Sequence, residues 1–398
     1  MRIFGFLAFS KACSSVECIE AAGAVIGAMD LSVDPCEDFY EYACGGFELR
    51  QSIPAGQNKL TQFAVADNII QKKLRAILET PGPKGEIDSR KKVRRYYKSC
   101  MDRKAITENG VNSLKTMVKE MGGLYLTPES SLPEGWSVNG MMKNRNAFTL
   151  SGLFKFSIGP DDMNVLQNVI QLDQGGLGLG DDTRDYYIEP DLENVLAAYI
   201  KMLRSFSEVI EGPENVTIDE ISKVIELEKR IAEAQNSKAE QRDIRSVYTK
   251  VNITWLQKNA GFMDWHKYLN DLFTPVGVSI PKNLSLVLYA VPYFEKLHAV
   301  VTNYTSTPGG MKTLQNYMVF QSIIEYAPRF GDEFKTAFNE FMSEFVGKRG
   351  SQESWQICVA DTDATVGYPL GALYVEKYFS PSDRDKVSIS FPYYFKHV

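Results

Sequence analysis

The stretch Asp30-Leu-Ser-Val-Asp-Pro-Cys-Glu-Asp-Phe-Tyr-Glu-Tyr-Ala-Cys-Gly-Gly-Phe47 predicts a short, sharply delimited helix. Asp34 is placed to cap its first turn, Pro35 to sit where a missing N–H costs nothing, and Glu37 to complete a capping box. Gly45 and Gly46 offer the left-handed residue that would stop it. Between these ends, Cys36, Tyr40, Ala43 and Phe47 recur at the spacing of a buried helical face. Cys36 and Cys44 lie eight residues apart. Along a helix that is ~12 Å, whereas a disulfide needs Cα atoms within ~7 Å. The two cysteines are therefore expected to remain unpaired with each other. Each needs a partner elsewhere.

Working outward, the chain has 398 residues, enough for two or three domains and a sizeable core. Hydrophobic residues make up 44% and charged residues 24%, a folded globular composition and not a disordered one. A net charge of -6 argues against a nucleic-acid partner, which would want a basic face. No run approaches the ~20 apolar residues of a membrane span, so no transmembrane segment is expected. Residues 1–12 place one positive charge, Arg2, ahead of a brief apolar run, at the short end of the ~7–15 residues of a secretory core. They are read as an arbitrary start, with a weak export leader as the alternative. Six cysteines and four Asn-x-Ser/Thr sequons, at Asn215, Asn252, Asn283 and Asn303, point instead to an oxidising, extracellular or cell-surface setting and a glycoprotein.

Downstream, Phe63, Ala66, Ile70, Leu74, Ile77 and Leu78 form an apolar helical stripe that Thr80-Pro-Gly-Pro-Lys-Gly85 ends. The basic run Arg90, Lys91, Lys92, Arg94 and Arg95 could be a polyanion site. Because Val93, Tyr96, Tyr97 and Cys100 keep helical spacing, it is read as the solvated face of a helix. A further helix carries Leu114, Met117, Val118 and Met121. Phe148 to Ile158 and Asn164 to Leu172 alternate as strands and predict one small antiparallel hairpin, joined across Gly159-Pro160-Asp-Asp. From Asp191 to about Gly347 the pattern is helical. One stripe is Val195, Leu196, Tyr199, Leu203 and Phe206, and another, opened by a Thr217–Glu220 capping box, is Ile221, Val224, Ile225, Glu228 and Ile231. Trp255 to Leu272, Leu284 to Val301 (interrupted at Pro292) and Leu314 to about Phe345 (weakened near Pro328) are read as further helices. The fold expected is mainly α, a multi-helix lobe with a small β-hairpin.

Little catalytic chemistry is visible. Gln174-Gly-Gly-Leu-Gly-Leu-Gly180 is not a dinucleotide loop, because Asp181-Asp182-Thr-Arg-Asp185 follows at once and would repel a pyrophosphate. The three histidines, His266, His298 and His397, are far apart. A zinc hydrolase would want two on one helical turn, as in His-Glu-x-x-His, but His266 is followed by Lys-Tyr-Leu-Asn270. No Gly-x-Ser-x-Gly elbow and no Cys/His pair is present. No catalytic and no metal-ligating residues are assigned.

The motifs do carry a family resemblance. Cys13-Ser-Ser-Val-Glu-Cys18, Met29-Asp30, Asp34 to Gly46, Ile53-Pro54, Tyr97-Lys-Ser-Cys-Met101, Leu172-Asp-Gln174 with Asp185-Tyr-Tyr187, Leu314-Gln-Asn-Tyr317, and Trp355-Gln-Ile-Cys358 with Leu373-Tyr-Val-Glu376 follow in order. Over residues 13–387 the chain resembles the N-terminal region of the neprilysin and endothelin-converting-enzyme family. Those proteins are zinc endopeptidases that cleave small extracellular peptides, in which a helical lobe closes over a thermolysin-like catalytic domain and limits substrate size. The resemblance implies no cofactor in this chain, zinc in the full-length family, and the catalytic domain and small peptides as partners.

It also implies a division of the chain. Residues 13–90 would pack on the catalytic domain, 91–348 form the helical lid lobe, 349–387 return towards the catalytic domain, and 388–398, Ser-Ile-Ser-Phe-Pro-Tyr-Tyr-Phe-Lys-His-Val, depart from the family pattern. By position, Cys13 matches a cysteine pairing locally with that at Cys18, and Cys100 one pairing with that at Cys358, a long loop whose closure contributes up to ~5 kcal/mol. The matches of Cys36 and Cys44 bond cysteines of the catalytic domain. Lys59 matches an arginine that binds the substrate's C-terminal carboxylate, keeping the charge without the bidentate geometry. The expectation is a non-catalytic N-terminal portion of a zinc metalloendopeptidase, lacking the thermolysin-like domain, as a truncated transcript or short isoform would. The alternatives are a secreted inactive peptide-binding protein and a gene-prediction fragment.

Overall fold

Along most of the chain, hydrophobic spacing becomes burial. The computed structural model describes residues 15–55, 57, 59–146, 152–347, 350 and 352–385. They divide into two compact units, one made of the residues before Cys100 with those after Lys348, the other of Cys100–Lys348. Among the described residues the fold is mainly α with one small sheet.

In the larger unit, helix Glu193–Glu211 buries Tyr199, Leu203 and Phe206, and helix Ile218–Ala234 buries Ile221, Val224 and Ile231. Both stripes are the ones their spacing predicts. Helix Arg103–Glu120 buries Leu114, Met117 and Val118 in the same way. At its centre Phe154, Phe262, Trp265, Tyr268 and Phe294 meet at ring-centroid separations of 4.9–6.5 Å, mostly tilted or edge-on, as aromatic quadrupoles prefer.

The sheet is larger than the predicted hairpin. Strands β1 (Phe154–Asp161) and β2 (Asn164–Gln174) pair antiparallel, from Phe154 opposite Gln174 to Asp161 opposite Asn164. The reversal lies at Asp162–Met163, so Gly159 and Pro160 belong to β1 and do not form the turn. Pro160 is tolerated because β1 is an edge strand, where a missing N–H breaks no ladder bond. Residues 148–151 of the predicted strand lie outside the described residues. Two short strands, β3 (Tyr248–Asn252) and β4 (Ser285–Tyr289), complete the order β1-β2-β4-β3, with β4 parallel to β2 and antiparallel to β3. β4 occupies the start of a segment read as helical. Its run Leu286, Val287 and Leu288 is wholly buried, and a short apolar run does not tell helix from strand by periodicity.

Other boundaries shift for local reasons. Helix Val291–Thr305 begins after β4, with Pro292 in its first turn, where the ring is harmless, and not in its interior. The Trp255–Leu272 segment is two helices, Ile253–Asn259 and Trp265–Phe273. The Leu314–Phe345 helix is likewise broken at Pro328 into Pro308–Tyr326, a 3-10 turn Ala327–Arg329, and Asp332–Val346. Thr217 sits at the N-cap of Ile218–Ala234 but makes no side-chain cap. Its hydroxyl donates to the Leu126 carbonyl (2.9 Å), while Glu220 accepts from Lys223 (2.9 Å) and pairs with buried Lys312 (3.3 Å).

In the smaller unit, helix Gln62–Glu79 buries Leu74, Ile77 and Leu78, and helix Asp88–Met101 buries Val93 and Tyr97 beneath its basic face. Tyr97 donates to Glu79 (3.0 Å), Arg90 pairs with Glu376 (2.6 Å), and Arg75 stacks over Trp355. The first contact joins the two helices to each other, and the other two bind them to helix Ser354–Tyr378, which is kinked at Val366 ahead of Pro369.

Candidate functional site

The opening motif folds differently from its expected form. Its helix is Phe39–Arg50, and the cap is Asp38, whose carboxylate accepts the Glu41 N–H at 2.9 Å. Asp34 instead closes the turn before the helix, accepting the Cys36 N–H on its side chain (2.8 Å) and the Glu37 and Asp38 N–H groups on its carbonyl. Cys36 therefore lies outside the helix, and the helical-rise argument for keeping it from Cys44 does not apply.

Gly45 and Gly46 do not terminate the helix either; they are its buried residues. A Cβ on Gly46 would stand 2.9 Å from the Met29 carbonyl carbon and closer still to its oxygen. Glycine lets the helix press against the end of helix Val16–Ala28. Arg50 donates to the Gly27 carbonyl (3.1 Å) and the Asp30 N–H to the Tyr42 carbonyl (2.9 Å), fixing the pair. The predicted apolar face is not buried: Tyr40 is 69% exposed and Cys36 is exposed.

Cys36 and Cys44 are free thiols, the first exposed and the second half-buried. Cys18, Cys100 and Cys358 are each disulfide-bonded. Cys13 lies outside the described residues. In the same unit, Val16, Ile19, Val25, Ile26, Leu31 and Phe39 are all more than half exposed, and Phe63 reaches 89%. Among the described residues, most large exposed apolar side chains fall in this smaller unit. Lys59 is exposed on the connection that precedes helix Gln62–Glu79. This unit offers exposed apolar side chains and two thiols able to form disulfides with another polypeptide.

The remaining candidates lie in the larger unit. His266 is held by the Ile280 carbonyl (2.8 Å), and His298 meets the Thr302 hydroxyl (3.3 Å). His397 is outside the described residues. Among the described residues no group of three or more His, Cys, Asp or Glu side chains is arranged to hold a metal ion, so they do not fit a zinc site. The sequon asparagines are all exposed. Asn215 donates to the Glu211 carbonyl (2.8 Å), and Asn252 caps helix Ile253–Asn259 by accepting the Trp255 N–H (2.8 Å). The Gly-rich run 174–180 forms a turn over buried Glu228, whose carboxylate accepts the Gly178 N–H.

Two buried acids were missed as special by sequence reasoning. Glu228 had a signal, an acid at a core-facing position of an otherwise apolar stripe. Asp161 had none. It is buried at the hairpin end, accepts from Lys250 Nζ (2.8 Å), the Tyr248 hydroxyl (2.8 Å) and the Met163 N–H (2.9 Å), and these bonds, that of Lys250 foremost, hold its carboxyl down to about 2.

The fold is similar to that of two solved structures. One is a zinc metalloprotease of Mycobacterium tuberculosis in complex with inhibitor (TM-score 0.73, 17% identity, 90% of this chain and 52% of that one). The other is PepO from Lactobacillus rhamnosis (0.70, 13%, 90% and 54%). At these identities the likeness is one of fold. The sequence goes further: residues 35–389 match the N-terminal profile of peptidase family M13, and the chain belongs to that family. It is 30% identical over 370 residues to an endothelin-converting enzyme homolog of Locusta migratoria, covering 92% of this chain and 50% of that protein. It is 27% identical over 392 residues to neprilysin of Mus musculus, covering 94% and 51%. The chain spans about half the length of these relatives.

Proposed function

We propose that this chain is the N-terminal, non-catalytic portion of a neprilysin-like zinc metalloendopeptidase whose whole protein cleaves small extracellular peptides. One observation carries the reading. The chain covers about half of its relatives, and its smaller unit leaves large apolar side chains and two thiols facing outward. Such a concentration of large exposed apolar side chains in one unit fits an interaction face. In this reading the catalytic half covers that face, supplies cysteines to Cys36 and Cys44, and holds the zinc, while the larger unit forms a lid that restricts substrate size.

Lys59 would contribute charge towards a substrate carboxylate. The disulfides would be Cys13–Cys18 and Cys100–Cys358, and the setting extracellular or cell-surface, with Asn215, Asn252, Asn283 and Asn303 as glycosylation positions. The test is a peptidase assay on the purified chain with zinc added, alongside peptide mapping under non-reducing conditions. No chelator-sensitive turnover is expected. Turnover abolished by a chelator overturns the reading of this chain as non-catalytic.

A further inference from the structure

Glu228 is fully buried in the larger unit, and every group that bonds it is neutral. Its Oε2 accepts from the Tyr187 hydroxyl at 2.8 Å; its Oε1 accepts the Gly178 N–H at 3.1 Å and lies 3.5 Å from the Tyr199 hydroxyl. Tyr187 in turn accepts the Leu179 N–H (3.2 Å), so this carboxyl anchors two successive amides of the turn 174–180. The turn is built to approach it: a Cβ on Gly178 would stand 2.5 Å from Glu228 Oε1 and closer still to the Tyr199 oxygen.

The titratable groups facing the carboxyl are tyrosines. They are Tyr187 from helix Asp185–Ile188, Tyr199 from Glu193–Glu211 and Tyr317 from Pro308–Tyr326. From Val291–Thr305 comes Tyr293, which bonds the Leu153 carbonyl and the Gly175 N–H (3.4 Å). The turn itself presents only backbone. Among the described residues no lysine or arginine is a cause of the shift at Glu228.

We propose that Glu228 is a proton-operated latch on the turn 174–180, which the closed structure favours in its protonated form and which releases when ionised. A proton taken from solvent onto Oε1 would be donated to the Tyr199 oxygen, with Tyr187 and Gly178 still donating to the carboxyl. No charge is then buried. The ionised form keeps an unpaired charge out of water, a cost that opening of the turn relieves. Desolvation accordingly raises the carboxyl from 4.5 to about 7. A raised acid binds more protons folded than unfolded, so stability falls as pH rises from about 4.5 to about 7 and is level above. The full shift corresponds to roughly 300-fold in the folding equilibrium. This inference does not depend on the functional reading above.

The experiment follows the 13C signal of the Glu228 side-chain carboxyl in the full chain from pH 4 to 9, with hydrogen exchange at the Gly178 and Leu179 amides. Urea midpoints from pH 5 to 8 are compared for wild type and Glu228→Gln; histidines titrate in both, so the difference isolates Glu228. The expected result is a carboxyl titrating between pH 6 and 8, amide opening that grows as it ionises, and a smaller fall in stability with pH in E228Q. A carboxyl titrating near 4.5, or unchanged opening across its titration, overturns the proposal, and both are read on wild type even where E228Q does not fold.

Discussion

Gly110→Ala sets two local effects against each other. Gly110 lies within helix Arg103–Glu120, so helix propensity alone favours alanine by ~1 kcal/mol. The structure opposes this. The residue is buried where the helix passes the end of the 3-10 turn Ala327–Arg329, and a Cβ would stand 2.8 Å from the Phe330 carbonyl carbon and closer still to its oxygen. The obstacle is backbone, which cannot swing aside as a side chain would, and it is tied down because the Phe330 N–H donates to the Ala327 carbonyl (2.9 Å). Arg103 and Asp332 pair beside it and bind the same two segments. Overpacking of this kind costs ~1–3 kcal/mol, and more where the neighbour is rigid. The net expectation is a loss of about 2 kcal/mol after the propensity gain is deducted. Urea unfolding followed by tryptophan fluorescence reads it well, since Trp136, Trp255 and Trp265 report on the larger unit and only Trp355 on the smaller. Asn109→Ala, on the exposed side of the same helix, is the control and should be neutral or slightly stabilising. A G110A chain as stable as wild type, with N109A behaving as expected, would refute the close-approach argument.

Three further outcomes follow from the same geometry. Lys312→Met strips buried Glu220 of its enclosed partner and leaves it the exposed Lys223; a loss of about 3 kcal/mol in urea unfolding is expected, as for a broken buried ion pair. Asp161 has a depressed folded pKa, so its contribution is present above about 4 and is lost as pH falls towards about 2. Asp161→Asn should therefore flatten the acid limb of a stability-versus-pH curve between pH 2 and 5, and an unchanged limb would count against the Lys250–Tyr248–Asp161 cluster. Native thiol labelling without reductant should modify Cys36 first and Cys44 more slowly, with Cys18, Cys100 and Cys358 unmodified; equal labelling of all five would contradict the disulfide assignment.

The helices were largely legible because their information is local. Tyr199, Leu203 and Phe206, or Leu114, Met117 and Val118, point one way on a 3.6-residue repeat whatever lies opposite. The ordered motifs from Asp34 to Glu376 likewise pointed to the family. The sheet was half legible. β1 and β2 are neighbours in sequence and alternate; β4 is only five residues long and is parallel to a strand more than a hundred positions away. No local pattern encodes that pairing.

Sequence alone determined which faces are apolar and the order of the helices. Tertiary structure decided what the exceptions are for. Gly45 and Gly46 read as a helix stop because glycine permits a left-handed residue, yet here its value is the missing Cβ that lets Met29 approach. Thr217 and Glu220 read as a capping box, but a bond to Leu126 and a buried ion to Lys312 claim their side chains. Glu228 read as one member of a stripe. Its surroundings, three tyrosines and no cation, come from four other segments of the chain, and burial by distant residues sets the chemistry of an acid more than its neighbours in sequence do.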